Sequence, residues 1–279
     1  MRRIHVMMRI KFLLLLVFLC FSQLTFGQIS SPGLGVANTA SWFAFGVRQE
    51  LDTLKEWQSM SYIGIGRKSN PDNYDPLFKS AILVLNQEFY HQFHQQFQYS
   101  FALSYRRQDE YLEAVPYEHE TPSIQQEFRV YGRFSYILKT SRLKLASTFR
   151  QEIRKFYTPT FKNGEEDFQL RSRLRVQLTI NLDAKKNHRL VVCSEQLFSI
   201  SKETVPDSWT DFNYRESRFS LYYSFSPQRS PLIFSLGYMN DLVGNQKTFD
   251  ANYLAVDIVW ENPFKLRKRK KATINENFE

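Results

Sequence analysis

The chain has 279 residues, 43% of them hydrophobic and 16% aromatic, with 37 Lys and Arg against 28 Asp and Glu. Two cysteines are too few for a disulfide-stapled scaffold or a cysteine metal cluster. The formal charge of +9 sits at the ends, because four basic residues fall before position 12 and six follow Pro263. The body between is nearly neutral, which excludes a fold that grips nucleic acid through a basic surface.

The chain opens with Arg2, Arg3, Arg9 and Lys11, then an unbroken apolar run from Phe12 to Phe21 and the stretch Ser22-Gln23-Leu24-Thr25-Phe26-Gly27. A basic start, a short apolar core and small residues before a cut are the parts of a secretory signal peptide. The run is shorter than the about 20 apolar residues that a membrane-spanning helix needs. The expectation is a leader over 1–27, a β-barrel over 28–262 and a basic C-terminal tail over 263–279. Cys20 follows Leu19, which is too large for a lipid-attachment box. Cys193 is then the sole cysteine of the exported chain.

After Ala40 the sequence reads as strands. Eleven candidates occupy approximately 41–51, 57–68, 79–90, 95–107, 124–137, 142–156, 168–182, 188–198, 212–225, 231–241 and 251–260. The seventh is the clearest. Phe168, Leu170, Leu174, Val176, Leu178, Ile180 and Leu182 alternate with Gln169, Arg171, Arg173, Arg175, Gln177, Thr179 and Asn181. Such period-2 alternation places one side-chain set on each face of a sheet.

Short turns near Asp52–Glu56, His91–His94, Lys139–Ser141, Asp183–Asn187 and Pro227–Ser230 alternate with longer polar loops. The loops lie near Ser69–Phe78, Asp109–Thr121, Thr158–Glu166, Ser199–Asp211 and Leu242–Asp250. Short on one side and long on the other is the layout of an outer-membrane barrel. A soluble lipocalin-like barrel shares the alternation but turns its apolar face inward. Strand length favours the membrane reading, since most runs exceed the about 5–6 residues of ordinary strands. So does strand number, because side chains fill a barrel of about eight strands and not a wider one. Trp42, Trp57, Trp209 and Trp260 all fall near strand ends, where an interfacial aromatic girdle is expected.

The fold expected is an all-β, antiparallel, up-and-down transmembrane barrel. Bacterial single-chain barrels have even strand numbers, so a twelfth strand is sought in Gln28–Asn38, where Ile29, Leu34 and Val36 alternate weakly around Pro32. Ten strands is the alternative.

The polar face then lines the lumen as a charge ladder. It carries Glu127, Arg129 and Arg133, then Arg150, Glu152 and Arg154, then Arg171, Arg173 and Arg175. Arg189, Glu195, Glu216, Arg218 and Asp257 complete it. Arginines outnumber acids, so two readings stand: a pore that attracts small anionic solutes, or a lumen filled and fixed by ion pairs.

Arg150-Gln151-Glu152-Ile153-Arg154 resembles the R-x-E-x-R strand of a family of uncharacterised bacterial outer-membrane proteins, domain of unknown function 2490. Leu170–Arg175, Ser194-Glu195, Phe212–Arg218 and Leu236-Gly237-Tyr238 are similar to that family as well. The resemblance covers roughly 125–260 and implies an outer-membrane barrel with no established activity.

No catalytic constellation is expected. His91, His94, His119 and His188 sit at turns or loops, without the serine and orienting partner that a lipid-edge hydrolase needs. A metal site from Glu88, His91 and His94 lacks a fourth ligand. Glu165-Glu166-Asp167 reads as a solvated acidic loop. Gly33-x-Gly35 and Gly64-x-Gly66 lack the strand-to-helix context of a phosphate loop. No enzyme, cofactor or nucleic acid is expected. The partners expected are outer-membrane lipid, the barrel-assembly machinery and small anionic solutes.

Overall fold

The computed structural model describes residues 29, 31–244 and 249–264. The expected leader, and the basic run Lys265–Lys271, lie outside the described residues. Twelve strands follow in chain order: β1 Thr39–Glu50, β2 Trp57–Lys68, β3 Lys79–His94, β4 Phe97–Tyr111, β5 His119–Lys139 and β6 Leu143–Tyr157. Then come β7 Asn163–Asn181, β8 His188–Glu203, β9 Ser208–Trp209, β10 Asn213–Phe225, β11 Leu232–Val243 and β12 Phe249–Glu261. The described residues contain no helix.

Eleven long strands close into a ring. Each hairpin pairs antiparallel with the next, β8 pairs with β10, and β1 pairs with β12. The two-residue β9 lies outside the ring against Lys202 and Glu203 of β8. Each of the eleven alternating runs in the sequence corresponds to one wall strand. Several, β5 and β7 above all, continue further into the long loops than alternation alone marks, to 21 and 19 residues.

Closure differs from expectation. β1 and β12 run in the same direction, with Phe43 opposite Val256 and Val47 opposite Trp260. The barrel is therefore mixed rather than wholly antiparallel. The twelfth strand is the short β9, and among the described residues of 28–38 there is no strand. The reason is geometric: an odd number of hairpin-connected strands leaves the first and last parallel.

Residues 29–38 take another route. Ile29 packs near Gly46 and Met60, towards the end of the barrel that carries the short turns. Ser31 hydrogen-bonds the Tyr222 hydroxyl at 3.1 Å, and its carbonyl accepts from Arg218. Gly33 passes so close to the β10–β11 wall that a Cβ there would meet Arg218 Nη2 at 2.6 Å. Leu34 donates its N–H to Tyr253 at 2.8 Å, and its carbonyl accepts from Lys68 Nζ at 2.9 Å. The segment thus climbs through the lumen from the turn end to the loop end, then bends into β1. Ile29 and Leu34 are buried, at roughly 1.5–3 kcal/mol each for a fully buried aliphatic side chain. The missing outward-going strand exists as a filling, not as wall.

The two faces separate cleanly. Leu103, Val130, Leu174 and Leu236 point outward with more than half of their surface exposed, whereas Arg129 and Glu152 are buried inside. The few polar side chains within the outer apolar face pair across the ladder. Ser61 bonds its cross-strand neighbour Gln87, and Ser172 bonds Gln151 at 2.7 Å. At the short turns, side chains replace missing ladder partners. Asp183 accepts from the His188 N–H at 2.8 Å, and such backbone bonds hold its carboxyl below the usual carboxylate range.

The parallel seam is testable with a short thiol cross-linker in a C193S background. F43C with V256C should cross-link efficiently, and F43C with W260C should not. The reverse pattern would mean that the barrel closes in a different register.

Candidate functional site

The inner face is built by period 2, which brings every second residue of each long strand into one column. All fourteen charged residues of the ladder turn inward: Glu127, Arg129 and Arg133 on β5, Arg150, Glu152 and Arg154 on β6, Arg171, Arg173 and Arg175 on β7. Arg189 and Glu195 follow on β8, Glu216 and Arg218 on β10, and Asp257 on β12. Eleven strands enclose more space than ordinary side chains fill. Long arginines and the 29–38 segment take it up.

Glu152 is the centre of the network. Its carboxylate accepts a hydrogen bond from Arg173 Nη1 at 3.0 Å and is ion-paired with Arg150 Nε at 2.6 Å and Arg129 Nη1 at 2.9 Å. From there the pairs spread in both directions. Arg129 and Arg154 share Glu127 at 2.6 and 2.7 Å, and Arg154 also reaches Gln169. Arg173 makes a forked contact to Glu195 at 2.6 and 3.2 Å. Arg218 binds Glu216 at 2.5 Å, with Arg171 at 3.6 Å from the same oxygen.

Register alone would make this ladder repulsive. Arg129 stands opposite Arg154, Arg133 opposite Arg150, and Arg150 opposite Arg173. Like charges directly opposite destabilise a sheet. The structure resolves the conflict along the diagonals, where Glu127 and Glu152 sit between the arginines. Tyr131 separates the Arg133–Arg150 pair, with the Arg150 guanidinium 3.5 Å from its ring centroid. Such stacking of a cation on an aromatic face is itself attractive.

Several inward groups are absent from the ladder as read from sequence. Glu88 on β3 accepts from Ser100 at 2.6 Å and Tyr131 at 2.9 Å, and is ion-paired with Arg133 Nε at 3.3 Å. Asp241 on β11 lies 3.5 Å from Arg218. Arg48, Arg106, Lys139 and Lys144 also belong to the inner columns. Parity was the available signal: Val84, Asn86 and Glu88 alternate with Leu83, Leu85 and Gln87, and Met239 and Asp241 continue the inward set of β11.

The aromatic girdle needs one correction. Trp42 is fully buried in the lumen, with its indole over Gly64 where a Cβ would have no room. Its column contains Ala44, Gly46 and Arg48, while Phe43 and Phe45 point out. The other three tryptophans do not share that burial. Trp57 stacks on His91 at 4.3 Å at the turn end, inside a group with Phe93, Phe97, Tyr99 and Phe134. Trp260 is exposed at the turn end and Trp209 at the loop end. A second aromatic group, Phe128, Tyr157 and Phe161, lies towards the loops.

Charge is polarised along the axis. The wide mouth among the long loops, about 1450 Å³, is lined by six glutamates against Arg171 and Arg215. Deeper and towards the turn end, a cavity of about 110 Å³ is lined by eight Lys and Arg against Glu88 and Glu195. Glu88, His91 and His94 do not converge, because Glu88 points inward while His91 stacks outside on Trp57. Among the described residues no three His, Cys, Asp or Glu side chains come together as a metal site.

The sequence profile of the family described as "Protein of unknown function (DUF2490)" matches residues 41–253. That span is most of the chain, and the chain belongs to this family. It reaches well upstream of the part in which the sequence motifs carried the resemblance. No curated protein matches the sequence.

Removing the central acid should expose the cost of the network. Glu152→Gln takes from Arg150 the acid it is paired with and removes one of two carboxylates from each of Arg129 and Arg173, and should lower unfolding free energy by roughly 3–5 kcal/mol. Glu165→Gln, at the exposed start of β7 where the sequence had suggested an acidic loop, should stay within about 0.5 kcal/mol of the parent. Urea titration of the folded protein measures both.

Proposed function

We propose that this member of the DUF2490 family is an outer-membrane β-barrel of the cell envelope, exported by the leader over 1–27. Its lumen is closed at rest, and its role is structural or interactive rather than catalytic. The observation that carries this reading is the combination of a continuous apolar outer face with an inner face crossed by a network of ion pairs. A water-soluble barrel gains nothing from exposing Leu103, Val130, Leu174 and Leu236. Exposed apolar area of that extent marks a surface that something apolar covers.

Three further features support a bilayer as the cover. The backbone ladder is closed, so no edge strand meets lipid unsatisfied. Outward polar groups, Ser61 with Gln87 and Gln151 with Ser172, satisfy one another within the sheet. The two aromatic groups are separated on β5 by the stretch from Phe128 to Tyr136. At about 3.3–3.4 Å per residue this is roughly 27 Å of strand, on the scale of the ~25 Å apolar band of such barrels. In this reading the turn end faces the periplasm, and residues 29–38 enter the lumen from that side. Lipid and the assembly machinery that inserts such barrels are then its partners.

The second reading, passage of small anions, draws on the cationic surplus of the inner cavity. It requires residues 29–38 to leave the lumen, since they occupy its length.

Two measurements separate these readings. Outer-membrane fractions run on SDS gels without heating should give a band that shifts only on boiling, and a soluble protein without a shift would end the membrane proposal. In planar bilayers the intact protein should show almost no conductance. If deletion of 29–38 opens an anion-selective current that weakens when Arg171, Arg173 and Arg175 are neutralised, passage becomes the function and closure its regulated state.

A further inference from the structure

The outer wall carries a polar patch at mid-height whose hydrogen bonding is half complete. Gln151 lies near the middle of β6, Ser172 near the middle of β7, and Ser194 and Gln196 near the middle of β8. Ser217 follows on β10, directly opposite Gln196. All five point outward, because Glu152, Arg173, Glu195 and Arg218 beside them are buried inside. Gln151 stands opposite Ser172, and Gln196 is one diagonal step from Ser172, which faces Phe198. The two serine–glutamine pairs therefore form one patch across four neighbouring strands. Ser61 and Gln87 lie apart from it on the far side of the ring, on β2 and β3.

Within each pair the serine serves the glutamine oxygen. Ser172 donates to Gln151 Oε1 at 2.7 Å, Ser217 donates to Gln196 Oε1, and the Tyr214 hydroxyl lies 2.6 Å from Ser217 Oγ. A carboxamide also has two N–H donors. Neither Gln151 Nε2 nor Gln196 Nε2 meets an acceptor among the described residues, and Gln151 is exposed. Its neighbour on the β5 side is Gly132, which has no side chain to cover it. Depth keeps these groups from water at either end, since Gly132 is midway along the stretch from Phe128 to Tyr136 that separates the two aromatic groups. An amide N–H without an acceptor in hydrocarbon is costly.

We infer that this patch is the contact between two copies of the chain, side by side in the membrane. The inference rests on the membrane reading above. A carboxamide is donor and acceptor at once, and the outward neighbours Phe149, Ile153, Leu174 and Phe219 are apolar, so the patch complements itself. Two barrels inserted in the same direction are related by a twofold axis along the bilayer normal, which makes the contact isologous. An axis through β7 sets β6 of each copy against β8 of the other. The N–H groups of Gln151 then reach Gln196 and Ser194 of the second copy, and the converse contact forms with them. Gly132 and the serines let the walls approach, and Leu174, exposed between the two pairs, fills the centre. Small and hydrogen-bonding side chains join membrane helices in the same way. A lipid tail offers no acceptor at that depth.

Cysteine cross-linking of the exported protein, purified and reconstituted in phosphatidylcholine vesicles, tests this. In a C193S background Leu174→Cys should give a product of twice the monomer mass, and Ile63→Cys, on the far wall, should not. The dimer fraction is followed as added lipid dilutes the protein. Gln151→Leu with Gln196→Leu should weaken the dimer at least about tenfold, while Gln87→Leu should leave it unchanged. The leucine variants should still insert, because they place apolar side chains on an apolar face. Should the double variant fail to insert, Gln151→Met alone takes its place. Inserted protein that stays monomeric overturns the inference and leaves the membrane reading standing. So does undiminished dimer in the glutamine variants, or equal cross-linking from Ile63→Cys. A protein that stays in solution and never enters the vesicles overturns the inference together with the membrane reading.

Discussion

Everything inside this barrel depends on the carboxylate of Glu152 and the three guanidinium groups that converge on it. A ring of eleven strands encloses a space too wide for aliphatic side chains and too sheltered for unpaired charge. Burying an ion costs several kcal/mol unless its partner and its hydrogen bonds are supplied in place. Arg129, Arg150 and Arg173 come from three adjacent strands, so the acid they share ties β5, β6 and β7 together through the lumen as well as through the wall. The pairs at Glu127, Glu195 and Glu216 extend the same solution around the ring.

The odd strand number shapes the rest. A hairpin meander of eleven strands brings its first and last strands together in the same direction, and the parallel β1–β12 seam is the consequence. It also brings the start of the wall to the loop end. Chain arriving from the turn end must therefore cross the barrel before β1 begins. Residues 29–38 cross through the inside, where Ser31, Gly33 and Leu34 meet Tyr222, Arg218 and Tyr253. Closure and filling are thus one feature of topology rather than two.

The lumen is consequently divided by charge. Acidic side chains collect at the loop mouth, ion pairs occupy the middle, and Lys and Arg predominate around the gap towards the turns. Short side chains at 135, 146 and 148 leave a cavity of about 110 Å³ beside those side chains. The interior thus combines an ion-paired waist with a smaller gap towards the turns.

Local alternation was enough to read the wall from the chain itself. A strand's side chains repeat every two residues whatever the rest of the molecule does, so the eleven strands, their hairpin order and the shared face of Arg129, Glu152 and Arg173 were all written in sequence. The inward position of Trp42 was legible by the same parity, since Arg48 shares its column, but its aromatic character suggested an interface instead. What the sequence could not decide was which way the last strand meets the first, where 29–38 goes, and which acid serves which arginine. Those depend on closure, a non-local constraint that joins residues two hundred positions apart. Only the folded ring set Leu34 against Tyr253, and only its diagonals turned facing arginines into a paired network around Glu152.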